Sequence, residues 1–322
     1  MTKHPLFPYP SPEVREERLD QAAGAVGAEV RVIGESVEGR PIRAARIPRK
    51  ATKAEEPSHP GECPRLLVCG NIHGLEWISS LASLGFVAAM ERPRPALRAL
   101  MERAEIWVVP CVNPDGYARV WEREGEGKLH ELRSNARGVD LNRNYPLPAP
   151  QPWYAIKTGG WMTGSTDPTS PFFRGAGPLS EPETRAMATL FEEVPFAASV
   201  SLHSTMGALL SAHVERKDHL SGYGRLCRAF GEAQKVSRYR WVASRRLDWF
   251  TGEQEDHQHH RYGTWAICVE MFPIMESLRQ HLRAPSLFWR FNPREPRKWL
   301  ENDIPGMVAY FHAALDEGPP AP

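Results

Sequence analysis

The 322-residue chain carries 40 Lys and Arg against 39 Asp and Glu, a formal net charge of +1, with 41% hydrophobic and 25% charged residues. That balance allows a sizeable buried core and gives no reason to expect nucleic acid or an anionic membrane as a partner. No run approaches the roughly 18 apolar residues of a membrane-spanning helix. The segment Met1–Leu19 is rich in proline and charge and has no apolar signal core, so a cytoplasmic location is expected.

In chain order, residues 12–27 read as a short amphipathic helix. Glu29–Val32 and Pro41–Ile47 alternate apolar and polar residues around Glu38-Gly39-Arg40, the pattern of a hairpin. Lys50–Gly61, with Pro57 and Pro60, reads as an exposed loop. Four apolar runs of strand length follow: Arg65–Gly70, Glu105–Val112, Ala197–Leu202 and Thr264–Val269. Helical patterns alternate with them over Trp77–Met90, Glu183–Glu193 and His219–Ala233. Ser180-Glu181-Pro182-Glu183 reads as a capping box with Ser180 as N-cap. His257-Gln258-His259-His260 reads as an exposed polar loop, and Asn302–Ala314 as a closing helix that Pro305 breaks or starts. Five scattered cysteines with no CxxC pair read as reduced thiols, with Cys69, Cys111 and Cys268 buried. Doubly apolar strands alternating with helices predict an α/β fold whose largely parallel or mixed sheet is covered on both faces.

His73 follows the first run, Asn113 the second, His203 the third and Glu270 the fourth. In open α/β sheets, ligands bind beyond the carboxyl ends of the strands, so these polar residues are expected to converge on one edge. His73 and Glu76, three apart where a strand turns into a helix, can face one cation. With His203 they supply the two imidazoles and one carboxylate of a catalytic zinc site, which leaves a fourth position open. Alone, either element would be an ordinary surface or core residue. No HExxH occurs, which excludes the helix-borne arrangement of such sites.

From about Val30 to Phe272 the chain resembles the zinc carboxypeptidases related to carboxypeptidase A. The resemblance is carried by Gly34-Glu35-Ser36-Val37-Glu38-Gly39-Arg40-Pro41, His73…Glu76-Trp77 and Asn113-Pro114-Asp115-Gly116-Tyr117. It continues through Arg133-Ser134-Asn135, Gly138 to Asn144, Ser180 to Thr184, His203-Ser204 and Val269-Glu270. It implies a single catalytic domain over residues 1–322 with a mixed sheet of about eight strands and no pro-domain. It also implies one zinc ion held by His73, Glu76 and His203. Glu270 would be the general base for the attacking water and then the acid for the leaving amine. Arg133 would stabilise the oxyanion, and Asn142 with Arg143 would grip the substrate's terminal carboxylate. The chemistry agrees with these roles: zinc brings water towards a usable pKa of about 7, a fixed guanidinium favours the tetrahedral state, and arginine's planar fork matches a carboxylate. The implied substrate is a peptide or small amide with a free carboxylate.

Trp77 reads as helix packing, Asn113-Pro114-Asp115-Gly116 as a tight turn that supports the zinc loop, and Asp140 and Asn144 as loop-orienting residues as much as substrate contacts. The segment before Glu270 departs from the family pattern. Family members carry an Asp-Trp pair about fourteen residues before the glutamate, whereas Asp248-Trp249 lies 22 residues before it. Either residues of about Gly252 to His259 are inserted, the favoured alignment, or Asp256 takes the aspartate's place. The first puts Leu247 at the base of the specificity pocket and implies an apolar side chain; the second puts Glu255 there and implies a basic one. Arg245 and Arg246 leave an acidic side chain as a third option. Tyr239 and Tyr262 are the candidates for a substrate-capping tyrosine. A deacylase of N-acyl amino acids is the competing activity, and an inactive binding homologue the reading from another class.

Overall fold

The computed structural model describes residues 3–50, 63–148, 164–243, 252–275 and 278–320. Eight strands form one sheet: β1 (Glu29–Glu35), β2 (Pro41–Ile47), β3 (Arg65–Gly70), β4 (Glu105–Val109), β5 (Phe196–Ser204), β6 (Ala208–Ser211), β7 (Arg240–Val242) and β8 (Trp265–Met271), in the order β1-β2-β4-β3-β5-β8-β6-β7. The four apolar runs are its parallel centre, β4-β3-β5-β8. The predicted hairpin β1–β2 adds antiparallel to β4 on one side, and β6 adds antiparallel to β8 on the other. No helix among the described residues is long and apolar enough to cross a membrane.

The two faces of the sheet are not alike. On one, Leu66, Val68, Ile106, Val108, Val200, Leu202, Ile267 and Val269 form the main core with the helices Pro12–Val26, Trp77–Ala89, Lys217–Ala233 and Pro296–Glu317. On the other, Leu67, Cys69, Trp107 and Val109 pack beneath the helix Pro182–Glu193. Because side chains alternate along a strand, β5 turns Ser199, Ser201 and His203 to this second face. Its neighbour β8 turns Cys268 and Glu270 the same way. The central strands β3 and β4 are therefore apolar on both faces, whereas β5 and β8 turn polar residues to the second face near their C-terminal ends, and that polar side leads to the site.

Several expectations need correction. Ser180 is not an N-cap: the helix starts at Pro182 behind Glu181, with no side-chain cap, while the Ser180 hydroxyl bonds Glu181 and receives Asn144. His257 to His260 lie in the helix Gln254–Tyr262 rather than an exposed loop, with Gln258 and His259 buried against β8. The closing helix runs unbroken from Pro296 to Glu317 through Pro305. Burial on this long core-facing helix outweighs the hydrogen bond that proline removes. The Lys50–Gly61 loop lies almost entirely outside the described residues.

That helix carries a titratable group in the core. Asp303 accepts hydrogen bonds from Gln234 Nε2 (2.7 Å), Asn302 Nδ2 (2.8 Å) and Tyr239 Oη (3.0 Å), yet burial pushes its carboxyl up to about 7. An unfolded aspartate titrates near 4, so between about pH 4 and 7 the folded chain binds the extra proton. The stability Asp303 contributes is thus full below about pH 4 and is lost as pH rises towards 7. Asp303→Asn is expected to gain melting temperature relative to wild type as pH rises from 5 to 8; a pH-independent difference would contradict the assignment.

Candidate metal centre and active site

Beyond β3 the chain makes a tight turn built by its own side chains. Asn71, at φ 54°, donates from Nδ2 to the carbonyl of His73 (2.9 Å), and Asn113 Nδ2 donates to that of Ile72 (3.2 Å). Gly74 passes so close to the neighbouring loop that a Cβ there would stand 2.7 Å from the Leu132 carbonyl. Trp77 is packing, as expected: it is fully buried, stacks on Tyr117 at 3.9 Å and donates to the Gly74 carbonyl. Asn113 caps the helix Pro114–Glu122, and Asp115 ties that helix to the hairpin through Ser36 Oγ (2.6 Å) and Glu38 N (2.9 Å).

This turn holds His73 and Glu76 against His203 on β5. His73 Nδ1 lies 3.0 Å from Glu76 Oε1, His203 Nδ1 lies 3.2 Å from Glu76 Oε2, and the two imidazole Nδ1 atoms are 3.1 Å apart. All three side chains are buried. The outer nitrogens are engaged elsewhere: His73 Nε2 meets Asp140 Oδ1 and His203 Nε2 meets Ser201 Oγ, each at 3.1 Å. With His73 Nε2–H donating to Asp140, its Nδ1 lone pair faces the other imidazole and the carboxylate, an arrangement that calls for a cation. Three ligands about 2.0–2.1 Å from a tetrahedral zinc stand about 3.4 Å apart, so the residues fit that ion. Burial opposes ionisation of Glu76, but His73 and His203 hold it well below the usual carboxylate range.

Asp140 is the hub of the site. It receives His73 on Oδ1 and Arg133 Nε on Oδ2 (2.9 Å), and it stays ionised because Arg133 and His73 outweigh its burial. Arg133 thereby reaches to 3.7 Å from Glu76 Oε1. Phe172 packs near both guanidiniums, 5.5 Å from Arg133 and 6.0 Å from Arg143. Glu270 is brought in by sheet register: on parallel strands it pairs directly with His203. Burial and the Glu76 charge push its carboxyl up to about 8, while His73 and Arg133 pull the other way. Its Oε2 has no hydrogen-bond partner among the described residues.

Asn142 and Arg143 are locked to the segment that opens the helix Gln254–Tyr262. Gln254 N donates to Asn142 Oδ1 (2.9 Å), Tyr145 N to the Gly252 carbonyl (3.0 Å), and Arg143 Nη1 to Glu253 Oε1 (3.1 Å). Gly252, at φ 80°, leaves no room for a Cβ, which would stand 2.7 Å from the Arg143 carbonyl oxygen. The first turn of this helix delivers Glu255 and Asp256. Asp256 Oδ1 accepts from His213 N (2.6 Å), and both carboxyls are raised, chiefly by burial. Glu255 is buried beside Ser201, and one of its oxygens lies within 4.8 Å of both a His203 nitrogen and the Cys268 sulfur. That second trio shares His203 with the first, and burial pushes the Cys268 thiol up.

The site thus brings together His73, Glu76, His203, Arg133, Asn142, Arg143 and Glu270. Tyr262 is not with them: it ends the helix that Glu253 begins, precedes β8 at the strand end opposite Glu270, and packs on Phe191. Tyr239 is also withdrawn, its hydroxyl held by Asp303 and by Phe272 N. Neither can cap a substrate here. Leu247, with Arg245, Arg246 and Asp248-Trp249, lies outside the described residues. Residues from Gln254 onward, within the segment that the favoured alignment inserts, form a packed helix whose Glu255 enters the site. Reading by sequence missed the hub role of Asp140, and Ser201, Glu253 and Phe172 altogether. The period-two polar pattern Ser199, Ser201, His203 was a usable signal for Ser201.

A profile of the zinc carboxypeptidase family matches residues 20–273. The chain belongs to this family. Among relatives, a metallocarboxypeptidase A-like protein of Trichophyton verrucosum is 28% identical over 188 residues, 56% of this chain and 40% of that protein. A protein of Uncinocarpus reesii described as an inactive metallocarboxypeptidase is 30% identical over 190 residues, 53% of this chain and 30% of its own length. The chain spans less than half the length of both. The crystal structure of thrombin activatable fibrinolysis inhibitor shares the fold with a TM-score of 0.73 at 19% identity, over 96% of this chain and 75% of that one. Zinc is the metal of the family, and His73, Glu76 and His203 are its candidate ligands here.

Proposed function

We propose that this family member is a zinc-dependent carboxypeptidase that hydrolyses the C-terminal amide bond of a peptide or peptide-like substrate. The observation that carries the reading is the convergence of the His73–Glu76–His203 trio, the register-paired Glu270, the buried Arg143 and the partly buried Arg133 at the strand ends. A zinc ion held by the trio would act as a Lewis acid on the scissile carbonyl and make water a competent nucleophile near neutral pH. Glu270 takes the proton of the attacking water and returns it to the departing amine. Arg133, held by Asp140, stabilises the developing oxyanion. Asn142 and Arg143 receive the terminal carboxylate, which restricts cleavage to a chain end.

Arg143→Ala is expected to raise KM for free-carboxylate substrates about a hundredfold, the loss of a charge-assisted bidentate contact. Amidated counterparts should change by less than about threefold. Equal losses on both would remove Arg143 from the gripping role.

Glu255 supports a substrate with a basic terminal side chain. Glu255 is buried close to the Glu253 carboxylate, and a buried carboxylate is costly unless a cation meets it. Acyl dipeptides ending in Lys are expected to exceed those ending in Leu by at least about tenfold in kcat/KM, and Glu255→Leu should invert the order. A wild-type preference for Leu would exclude this specificity.

A further inference from the structure

Arg143 already holds a carboxylate. Glu253 Oε1 accepts from its Nη1 at 3.1 Å, and both side chains are almost fully buried, at 4% and 9% exposure. The pair is built into the backbone. Glu253 is the N-cap residue of the helix Gln254–Tyr262, and its neighbours on both sides are tied to the Asn142-to-Tyr145 loop, Gly252 through Tyr145 N and Gln254 through Asn142 Oδ1. The segment therefore cannot drift away, and only side-chain rotation can separate the charges. More negative charge lies close by. Glu255 and Asp256 follow in the first turn of the same helix; burial, with Asp140 and Glu270, pushes the Glu253 carboxyl up, and Arg143 pulls it back towards the ionised form. No contact of Glu253 with a second cationic side chain is recorded among the described residues.

We propose that Glu253 is an internal counter-ion that occupies the carboxylate-gripping face of Arg143 and competes with the substrate's terminal carboxylate. The proposal rests on the reading that Arg143 is that grip. A guanidinium can donate to two carboxylates, but in a water-poor pocket a second anion within about 5 Å of the first is repelled by it. Binding of a free C-terminus thus requires Glu253 to rotate away or to share the arginine unfavourably. The consequence is a site that binds free carboxylates more weakly than its arginine alone would allow. Such a site favours substrates that bring further contacts, and loosens its hold on small carboxylate products.

The test uses the full chain loaded with zinc and carrying Glu270→Gln, so that a peptide is bound without being consumed. Calorimetry compares one peptide with a free and with an amidated C-terminus, on this protein and on the same protein with Glu253→Gln. The amide preserves shape and an acceptor oxygen while removing the charge. The free-acid peptide is expected to bind on the order of tenfold tighter after Glu253→Gln, and the amidated peptide is expected to change by less than twofold. Glu253→Ala, with intact folding checked by circular dichroism, should give the same direction if the Gln variant folds poorly. A purely structural role predicts weaker binding, and an unchanged affinity makes Glu253 a bystander; either result overturns the proposal. If the Glu253-intact protein shows no preference for the free acid over the amide, the gripping role of Arg143 fails first and takes the proposal with it. A preserved preference without the gain on Glu253→Gln overturns the proposal alone.

Discussion

Replacing His73 by alanine is expected to take the purified chain from one zinc per molecule to almost none, and to lower kcat/KM by about a thousandfold or more. The first expectation follows from geometry. Among the described residues three buried side chains converge there, the two imidazole Nδ1 atoms 3.1 Å apart and each 3.0–3.2 Å from an oxygen of Glu76. Removing one leaves two donors, too few for the closed side of a catalytic zinc site. The second follows because Lewis-acid polarisation contributes several kcal/mol to the barrier, and every 1.4 kcal/mol is a factor of ten. Asp140→Asn is the informative companion, since it keeps all three ligands and disturbs only the acceptor that orients His73 Nε2 and Arg133 Nε. A loss of about 10–100-fold in zinc affinity is expected from such an outer partner, read by competition with a chromophoric chelator. Metal removal should also lower the melting temperature of the wild type, because an ion at a thousand times its Kd stabilises by about 4 kcal/mol; the His73→Ala protein should be indifferent. A His73→Ala chain that kept stoichiometric zinc would end the ligand assignment.

The legibility of this chain divided along physical lines. Features with a period or a fixed position relative to a strand end could be read: the four central strands, the hairpin, and the trio with Glu270 placed after buried runs. The register that pairs His203 with Glu270 could not, because it is set by how β5 and β8 align across a long sequence gap. Nor could Asp140, whose role depends on two partners brought from separate loops. In the segment before Glu270 the dipeptide Asp248-Trp249 and the spacing to Glu270 pull in different directions, and which carboxylate reaches the site is set by a helix starting at Gln254 and a strand ending at Met271. His257 to His260, in the same segment, read as a loop because four polar residues in a row lack an apolar stripe, yet Gln258 and His259 are buried by hydrogen bonds to Ser199 and Tyr223. Buried polar networks of this kind have no signature in hydrophobic periodicity.

Glu270→Gln separates the catalytic reading from its alternatives. The variant keeps shape, strand register and all three zinc ligands, so it is expected to retain one zinc and to bind a free-carboxylate peptide. Its kcat should fall by about 10²–10⁴, the range for a positioned general base. The pH profile carries the sharper evidence. The group works as a base only when ionised, so activity in the wild type is lost as pH falls through its pKa. Burial and the Glu76 carboxylate push that value up to about 8, and His73 and Arg133 pull against them. A dication at the trio adds to that pull, which places the acidic limb of kcat/KM below pH 8. In the Gln variant that limb should vanish from the residual activity. A limb that survived would assign the base to another carboxylate of the pocket, with Glu255 and Glu253, both electrostatically linked to Glu270, the candidates. A zinc-loaded wild type that hydrolysed acyl amino acids but no peptide would move the chain to the deacylase reading with the same base. One that hydrolysed no amide at all, with the Gln variant indistinguishable from it, would make the fold a binding scaffold.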